Sequence, residues 1–202
     1  MQLSQTLIII ILTCAISIPA FNSSKMMSDL IMYPPQVKRG QYYRLLTSGF
    51  IHADYMHLAF NMITLWSFGR AMEPILAQIA GKFGFLIFYV CAVIVSDIPS
   101  YLKNRDNAAY ASLGASGGVS AVMFGFILFA PWVWFAFPPL PAILFAIVYL
   151  IYSTYMSKRG GTNVNHDAHI YGGLFGVAFI LIAEPNVAKI FINQLMHPQW
   201  PR

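Results

Sequence analysis

The chain has 202 residues, of which 58% are hydrophobic and 9% are charged, against roughly 25% charged residues in an ordinary soluble domain. Its formal net charge of +5 is modest, and no basic block is interleaved with aromatic residues, so nucleic-acid binding is not indicated. The composition therefore excludes an ordinary soluble domain and indicates a protein of the lipid bilayer.

Six apolar stretches are long enough to cross the hydrocarbon core of a bilayer, which takes about 17–25 helical residues. Each is a continuous apolar run, and only helices and closed barrels satisfy the backbone in lipid, so we interpret the runs as helices. The predicted transmembrane helices cover residues 3–20, 57–76, 83–101, 114–134, 140–156 and 168–184. The sequence thus predicts an all-α membrane protein with six transmembrane helices, in a single domain over residues 1–202.

The first of these stretches also resembles the apolar core of a secretory signal, because residues 7–18 are followed by Pro19 and Ala20. Residues 1–6 contain no Lys or Arg, which the charged start of a signal peptide requires. We therefore interpret this stretch as an uncleaved helix.

Polar side chains at membrane depth are costly, and they indicate function by default. His57 and Asn61 lie four residues apart, hence on one face near the start of the second helix. Ser116 begins the fourth helix within the glycine-rich stretch 114–118, and His169 begins the sixth. If all six segments span, the even-numbered helices begin at the same membrane face, so these four residues can meet.

The types of these residues indicate acyl transfer. A serine hydroxyl becomes a useful nucleophile when a positioned imidazole takes its proton, which makes Ser116 and His169 a candidate catalytic pair. His57, Asn61 and the backbone N–H of Ser116 are candidate donors to the oxyanion. Glycines on the fourth and sixth helices would allow the close contact that this chemistry requires, namely Gly114, Gly117, Gly118, Gly172 and Gly176.

With these residues, the chain resembles the rhomboid family of intramembrane serine proteases. The resemblance runs from about Tyr42 to the end of the sixth helix, with the family motifs in the family's order. The matched residues are His52, His57 and Asn61; Gly114, Ser116 and Gly117; Ala168, His169, Gly172 and Gly176; Gly69 and Glu73; and Tyr43 and Arg44. Each motif alone is weak, but together they are specific.

The resemblance implies a rhomboid-like bundle with a Ser116–His169 dyad, no carboxylate member and a covalent acyl-enzyme. It implies an oxyanion pocket made of His57, Asn61 and the Ser116 amide, and supporting roles for His52, Gly114, Gly117 and Gly172. It also implies that no metal or cofactor is needed. The substrates would be single-span membrane proteins, whose transmembrane segments unwind in a cavity gated by the fifth helix.

One position departs from the family pattern. Four residues past the nucleophile the family usually has an aromatic side chain that stacks on the catalytic imidazole, and here that residue is Ser120. Phe124 and Tyr171 are the candidates to hold His169 in its place. We interpret His166 as solvated, and Asp167 as the N-cap of the sixth helix rather than as a third catalytic residue.

Two other classes of function stay open. Histidines 52, 57, 166 and 169 are compatible with a metal or haem site, which visible absorbance would reveal, although the H-E-x-x-H zinc signature is absent. A catalytically inactive rhomboid-like protein that binds membrane clients would instead fail to react with a fluorophosphonate.

Charge and family indicate opposite membrane orientations. Lys and Arg on the predicted active-site face (Lys25, Lys38, Arg39, Arg44, Lys103, Arg105, Lys158, Arg159) outnumber those on the other face (Arg70, Lys82, Lys189, Arg202). The positive-inside rule would therefore put the site in the cytoplasm. The resemblance implies a multi-pass protein of the cell membrane whose site opens outward, and we adopt that orientation. Substrate, cleavage site and oligomeric state are not indicated.

Overall fold

The structure, a computed structural model, describes residues 4–134, 139–159 and 164–198. Within these ranges the secondary structure is helical, with two isolated bridges and no strand. The helices are α1 (Gln5–Ala20), α2 (Ser24–Leu30), α3 (Pro34–Lys38), α4 (Arg44–Thr47), α5 (Tyr55–Ala80), α6 (Gly84–Asn104), α7 (Ser116–Ile127), α8 (Ala142–Arg159), α9 (His166–Ala183) and α10 (Val187–Met196). Leu3, the first residue of the first predicted segment, lies outside the described residues.

Each of the six predicted segments overlaps one of the longer helices, but several boundaries differ. The fourth helix ends at Ile127 rather than at residue 134, and Pro131 follows its C-terminus as prolines often do. The second begins at Tyr55 and continues to Ala80, and α10 was not predicted. In the described part of the chain, α6 and α9 are long and apolar enough to cross a membrane. The count of six spans stays a prediction.

The connector between α1 and α5 is tied down by backbone and side-chain hydrogen bonds. Arg44 is only 5% exposed, and its guanidinium donates to the carbonyls of Ser28 at 2.7 Å and Ile31 at 2.9 Å. Met32 and Ser112 exchange two backbone hydrogen bonds of 3.0 Å each. The connector is therefore attached to the loop that precedes α7.

The N-terminus of α1 is capped by a side chain from a different helix. The Glu73 carboxylate on α5 accepts from the backbone N–H of Gln5 at 2.8 Å and of Thr6 at 3.0 Å, and from the Ser4 hydroxyl at 2.7 Å. A carboxylate in this place satisfies otherwise unpaired N–H groups and opposes the positive end of the helix dipole. Glu73 thereby ties α1 to α5.

Helix α7 lies at the centre of the bundle and packs against α5, α6 and α9. All of its residues except Ser116 and Phe126 are buried, because its many Gly, Ala and Ser residues let neighbours approach on every side. The closest approach is to α9, where a Cβ atom on Gly172 would collide with the Gly117 carbonyl and one on Gly176 with the Ala121 carbonyl. Two backbones are thus in direct contact.

Candidate active site

A cavity of about 150 Å³ lies where α5, α7 and α9 begin, with α8 forming another wall. All four polar residues selected from the sequence line it, because the three helices start on the same side of the bundle. The lining consists of His57, Phe60, Asn61, Thr64, Ser116, Val119, Ser120, Met123, Phe145, Tyr149, Val164 and His169. The cavity is mostly apolar with a few polar groups converging on it, as is usual for ligand sites.

The turn before Ser116 is held by its backbone. Gly114 has a φ of +120°, which strongly favours glycine, and its N–H donates to the Ser48 carbonyl at 2.9 Å. A Cβ atom at this position would lie 2.9 Å from His57 Nε2. Glycine is therefore required both for the turn and for the close approach of the His57 ring to the Gly114 backbone, two residues before Ser116.

His52 supports the same turn through a hydrogen bond to its backbone. It is fully buried, its Nδ1 lies 2.9 Å from the Ser17 hydroxyl, and its Nε2 accepts the Ala115 N–H at 3.3 Å. Because the Ser17 hydroxyl donates its own proton to the Phe50 carbonyl, the imidazole proton is on Nδ1. Burial, with a smaller contribution from His57, lowers the pKa of His52 to about 3 and keeps the ring neutral. This geometry fits the supporting role predicted for His52.

His169 is nearly buried, at 8% exposure, and neither ring nitrogen has a hydrogen-bond partner among the described residues. Ser116 and His169 thus line one cavity without a hydrogen bond between them. Buried polar atoms are rarely left unpaired outside functional sites, and hydrogen bonds of catalytic groups often tighten only when substrate is bound.

The aromatic partner of His169 is Tyr149 on α8, which the sequence analysis missed. The two rings stack with centroids 5.2 Å apart and planes at 21°. The Tyr149 hydroxyl is 2.9 Å from the Ser120 hydroxyl, at the position where the family pattern has its aromatic residue. The predictions of Phe124 and Tyr171 were wrong: Phe124 packs against Gly173, and Tyr171 is 42% exposed.

Two interpretations at the start of α9 also need correction. His166 is 5% exposed rather than solvated, and its ring meets the His169 ring edge-on at 5.4 Å. The N-cap is Asn165, whose side chain accepts the Ala168 N–H at 3.0 Å. Asp167 lies in the first turn, where its carboxylate accepts from Lys103 at 2.8 Å and from the Ser157 hydroxyl. Neither residue could be placed from sequence, because helix phase and partners depend on the neighbouring helices.

The candidate oxyanion donors come from two helices. Asn61 lines the cavity, is 5% exposed and donates one N–H of its amide to the His57 carbonyl at 2.9 Å, which leaves the second N–H for another acceptor. The first N–H groups of a helix have no partner within the helix, and they carry partial positive charge. Ser116 is the first residue of α7, so its amide belongs to this set.

A buried network beneath the site was not found from the sequence. The Asp97 carboxylate on α6 accepts from the Ser48 hydroxyl at 2.8 Å and from the Asn165 amide at 3.1 Å. Asn165 in turn accepts from the Ser100 hydroxyl at 2.8 Å and caps α9. The available signal was Asp97 itself, an acidic residue within an apolar segment.

The four histidines considered for a metal or haem do not form one ligand set. They lie in two edge-on pairs, His52 with His57 at 4.9 Å and His166 with His169 at 5.4 Å. In the ranges that the structure describes, no group of three or more His, Cys, Asp or Glu side chains is arranged to hold a metal ion.

Comparison with known proteins gives one consistent result. A family model described as Rhomboid domain matches residues 39–185. The chain is 30% identical over 184 residues to RHOMBOID-like protein 12, mitochondrial, of Arabidopsis thaliana, covering 84% of this chain and 53% of that protein. It is 28% identical over 170 residues to the Putative rhomboid protease YdcA of Bacillus subtilis (strain 168), covering 83% and 81%. With the human Presenilin-associated rhomboid-like protein, mitochondrial, it is 30% identical over 151 residues, which cover 72% of this chain and 39% of that protein.

Proposed function

Because the chain belongs to the rhomboid family, we propose that it is an intramembrane serine endopeptidase that cleaves transmembrane segments of single-span membrane proteins with a Ser116–His169 dyad. As a rhomboid with apolar helices it is an integral membrane protein. The observation that carries the proposal is the shared cavity, in which Ser116 lies with an imidazole whose two nitrogens are both unpaired within the described residues.

The proposed reaction uses each of these groups once in acylation. Ser116 Oγ attacks the scissile carbonyl carbon while His169 takes the hydroxyl proton. The carbonyl oxygen becomes an oxyanion, which accepts hydrogen bonds from the His57 ring, the Asn61 amide and the Ser116 N–H. The protonated imidazole then gives its proton to the leaving amine, and the C–N bond breaks to leave an acyl-enzyme.

Water completes the reaction in the same cavity. A volume of about 150 Å³ has room for several water molecules. His169 takes a proton from one of them, the resulting hydroxide attacks the ester carbonyl, and Ser116 leaves with the proton from the imidazole. The apolar part of the lining suits an apolar peptide segment that is at least partly unwound, because a helical segment has no carbonyl free for attack.

The test is covalent labelling of the detergent-solubilised protein with a fluorophosphonate, followed by cleavage of a panel of single-span membrane proteins with fragments mapped by mass. We expect labelling and cleavage to be lost in Ser116→Ala and His169→Ala. Both should persist in Ser67→Ala, which removes a serine hydroxyl from the outer surface of α5. Cleavage by Ser116→Ala at a rate near that of the wild type would contradict the assignment.

The proposed oxyanion pocket is tested separately. We expect Asn61→Ala to lower kcat by up to about 10²–10³, the cost of one oxyanion donor, and by less if His57 and the Ser116 amide compensate. His57→Ala should behave in the same way. Unchanged kcat in both variants would place the oxyanion elsewhere.

The second candidate is a catalytically inactive rhomboid that binds membrane clients, and the absent Ser116–His169 hydrogen bond is what favours it. It predicts a folded wild-type protein that no fluorophosphonate labels. Labelling at Ser116 would exclude it.

We also propose six transmembrane spans and an active site that opens outward from the cell membrane. Single cysteines at Arg105 and Lys82, in a protein without Cys14 and Cys91, would lie at opposite ends of α6. A membrane-impermeant maleimide added to intact cells should label the cysteine at position 105 and not that at 82. The reverse pattern would support the orientation that the charge count indicates.

A further inference from the structure

The orientation of His169 depends on a residue from another helix. Among the described residues, neither of its nitrogens is held by a hydrogen bond. Its ring is contacted edge-on by His166 and is stacked on one face by Tyr149. A flat ring that stacks at 21° against another has one tilt fixed, whereas an edge contact leaves the ring freer to turn.

Tyr149 is itself held by one hydrogen bond and by two aromatic neighbours. Its hydroxyl shares a hydrogen bond of 2.9 Å with Ser120, which is 1% exposed and lies one turn beyond Ser116 on α7. Its ring stacks on Phe145, one turn earlier on α8, with centroids 5.9 Å apart and planes at 24°, and it also meets the Phe124 ring of α7 at 6.1 Å. The result is a stack of Phe145, Tyr149 and His169, which contacts α7 through the Ser120–Tyr149 hydroxyl pair and through the Phe124 ring.

Helix α8 buries few of its side chains completely, although Ile143, Phe145 and Leu150 pack partly buried against the core and the Ser157 hydroxyl donates to Asp167 of α9. Of its eighteen residues, only Ala142, Ala146 and Ser153 are buried, and the first two offer one methyl group each. The Ser153 hydroxyl has no hydrogen-bond partner in the described part of the chain. Within the described residues, the side-chain hydrogen bond that joins α8 to α7 is the one between Ser120 and Tyr149.

We propose that Tyr149 is a positioning residue for His169, and that the Ser120–Tyr149 hydrogen bond holds α8 against α7, so that the base is aligned only when α8 is seated. The inference rests on the proposed function of His169 as the base. It makes the position of one helix, of which few side chains are fully buried, a condition for activity, since a displacement of about 1 Å in a reacting group can cost about 10²-fold in rate.

Stacking is tested first by a measurement that needs no activity. The chain has five histidines, so the ring signals of a histidine-labelled sample in detergent can be assigned by substitution. The ring current of Tyr149 should shift the His169 ring protons upfield. We expect that shift to vanish in Tyr149→Leu, to persist in Tyr149→Phe, and to be unchanged in Tyr155→Leu, which removes an exposed ring from the same helix.

Fluorophosphonate labelling rates then connect stacking to function, at a temperature well below unfolding. We expect Tyr149→Leu to slow labelling by about 10–10²-fold, and Tyr149→Phe to recover most of the loss because the ring is kept. Ser120→Ala and Tyr149→Phe each break the same hydrogen bond, so each should slow labelling by a similar small factor. Their combination should be no slower than either alone.

Several results would overturn the proposal. One is an unshifted His169 signal in Tyr149→Leu, and another is labelling of that variant at the rate of Tyr155→Leu. Equal slowing in Tyr149→Phe and Tyr149→Leu would also do so, because the ring would then not matter. If Tyr149→Leu does not fold, additive effects of Ser120→Ala and Tyr149→Phe would contradict the shared bond. A wild type that is never labelled refutes the proposed function instead, while the ring-current shift still reports on the stack.

Discussion

The α7–α9 contact and the α8 wall of the same cavity are built in opposite ways. Between α7 and α9 the backbones touch, with Gly172 against the Gly117 carbonyl and Gly176 against the Ala121 carbonyl. Helix α8 instead fully buries three small side chains, and its Tyr149 hydroxyl bonds to Ser120 on α7. The backbone positions of Ser116 and His169 are thus set by direct backbone contact, whereas the tilt of the His169 ring, on our proposal, depends on how α8 is seated. We therefore expect rigid backbone placement and adjustable ring placement to be separable in this protein.

The largest expected effect comes from opening the α7–α9 contact. In Gly172→Ala the new methyl group meets backbone, which cannot yield, so we expect a loss of about 3 kcal/mol of stability or failure to fold. Gly125→Ala is the matched control on the same interface, because its methyl group would meet the side chains of Ile180 and Met72 at 3.3 Å, and these can move. Thermal unfolding in detergent compares the two, and equal stability would mean that the helices can separate at little cost.

A second test of the rigid region is the hydrogen-bond network around Asp97, which supports the N-cap of α9. Asp97→Ala leaves the Ser48 hydroxyl and one N–H of the Asn165 amide without an acceptor, while the other N–H keeps its bond to the Ser112 hydroxyl, and a buried unpaired group costs about 1–3 kcal/mol. We expect a loss of about 2 kcal/mol, together with slower labelling of Ser116, because the cap of α9 is weakened. Asp106→Ala, which removes a carboxylate from an exposed ion pair with Lys38, should change the melting temperature little. A stable, fully labelled Asp97→Ala protein would show that the cap holds without its support.

Ser120→Tyr tests whether the adjustable region has room for a second ring. The Tyr149 hydroxyl already occupies the space beside Ser120, so the substitution should overpack the site and cost about 2 kcal/mol without raising activity. Combined with Tyr149→Leu, the new ring could fill the vacated volume, and part of the stability should return. A Ser120→Tyr protein that is more active and equally stable would indicate that His169 is loosely held in the wild type.

The smallest expected effect is the pH dependence of stability that arises from buried His52, which supports the turn before Ser116. Burial lowers the pKa of His52 from its ordinary 6.5 to about 3, so below pH 6.5 the unfolded chain binds a proton that the folded protein does not. Stability therefore falls as pH falls through this window, by about 1 kcal/mol between pH 7 and pH 5.5. His52→Gln should show a shallower dependence over that range. A parallel slope in His52→Gln would contradict the assignment.

Much of the site was accessible from the sequence because its chemistry requires particular residue types at particular places. Ser116, His169, His57 and Asn61 stand out as polar residues at the starts of apolar segments, and helix direction predicts that such starts meet. The structure does bring them to one cavity. The roles of these residues stay proposals, since geometry alone does not test catalysis.

Errors in the sequence analysis occurred where a residue's role depends on a partner far away in the chain. Asn165 and Asp167 are both good N-cap residues, and which of them caps α9 depends on Asp97, Ser100 and Lys103 across the bundle. His166 was expected in solvent, but its exposure depends on the side chains that α8 places around it, among them Tyr152 with its ring centroid at 5.5 Å.

The sequence by itself determined a helical membrane protein, its family and the identity of the candidate reactive groups, because apolar run length and motif spacing are local properties of the chain. Only the tertiary structure decided what holds His169. Twenty residues separate Tyr149 from His169 along the chain, and the pairing depends on the rotation and height of α8 against α7 and α9. Those quantities follow from packing over whole helices, and no single motif reports on them. They allow a serine and a tyrosine on two helices to replace one aromatic residue on a single helix.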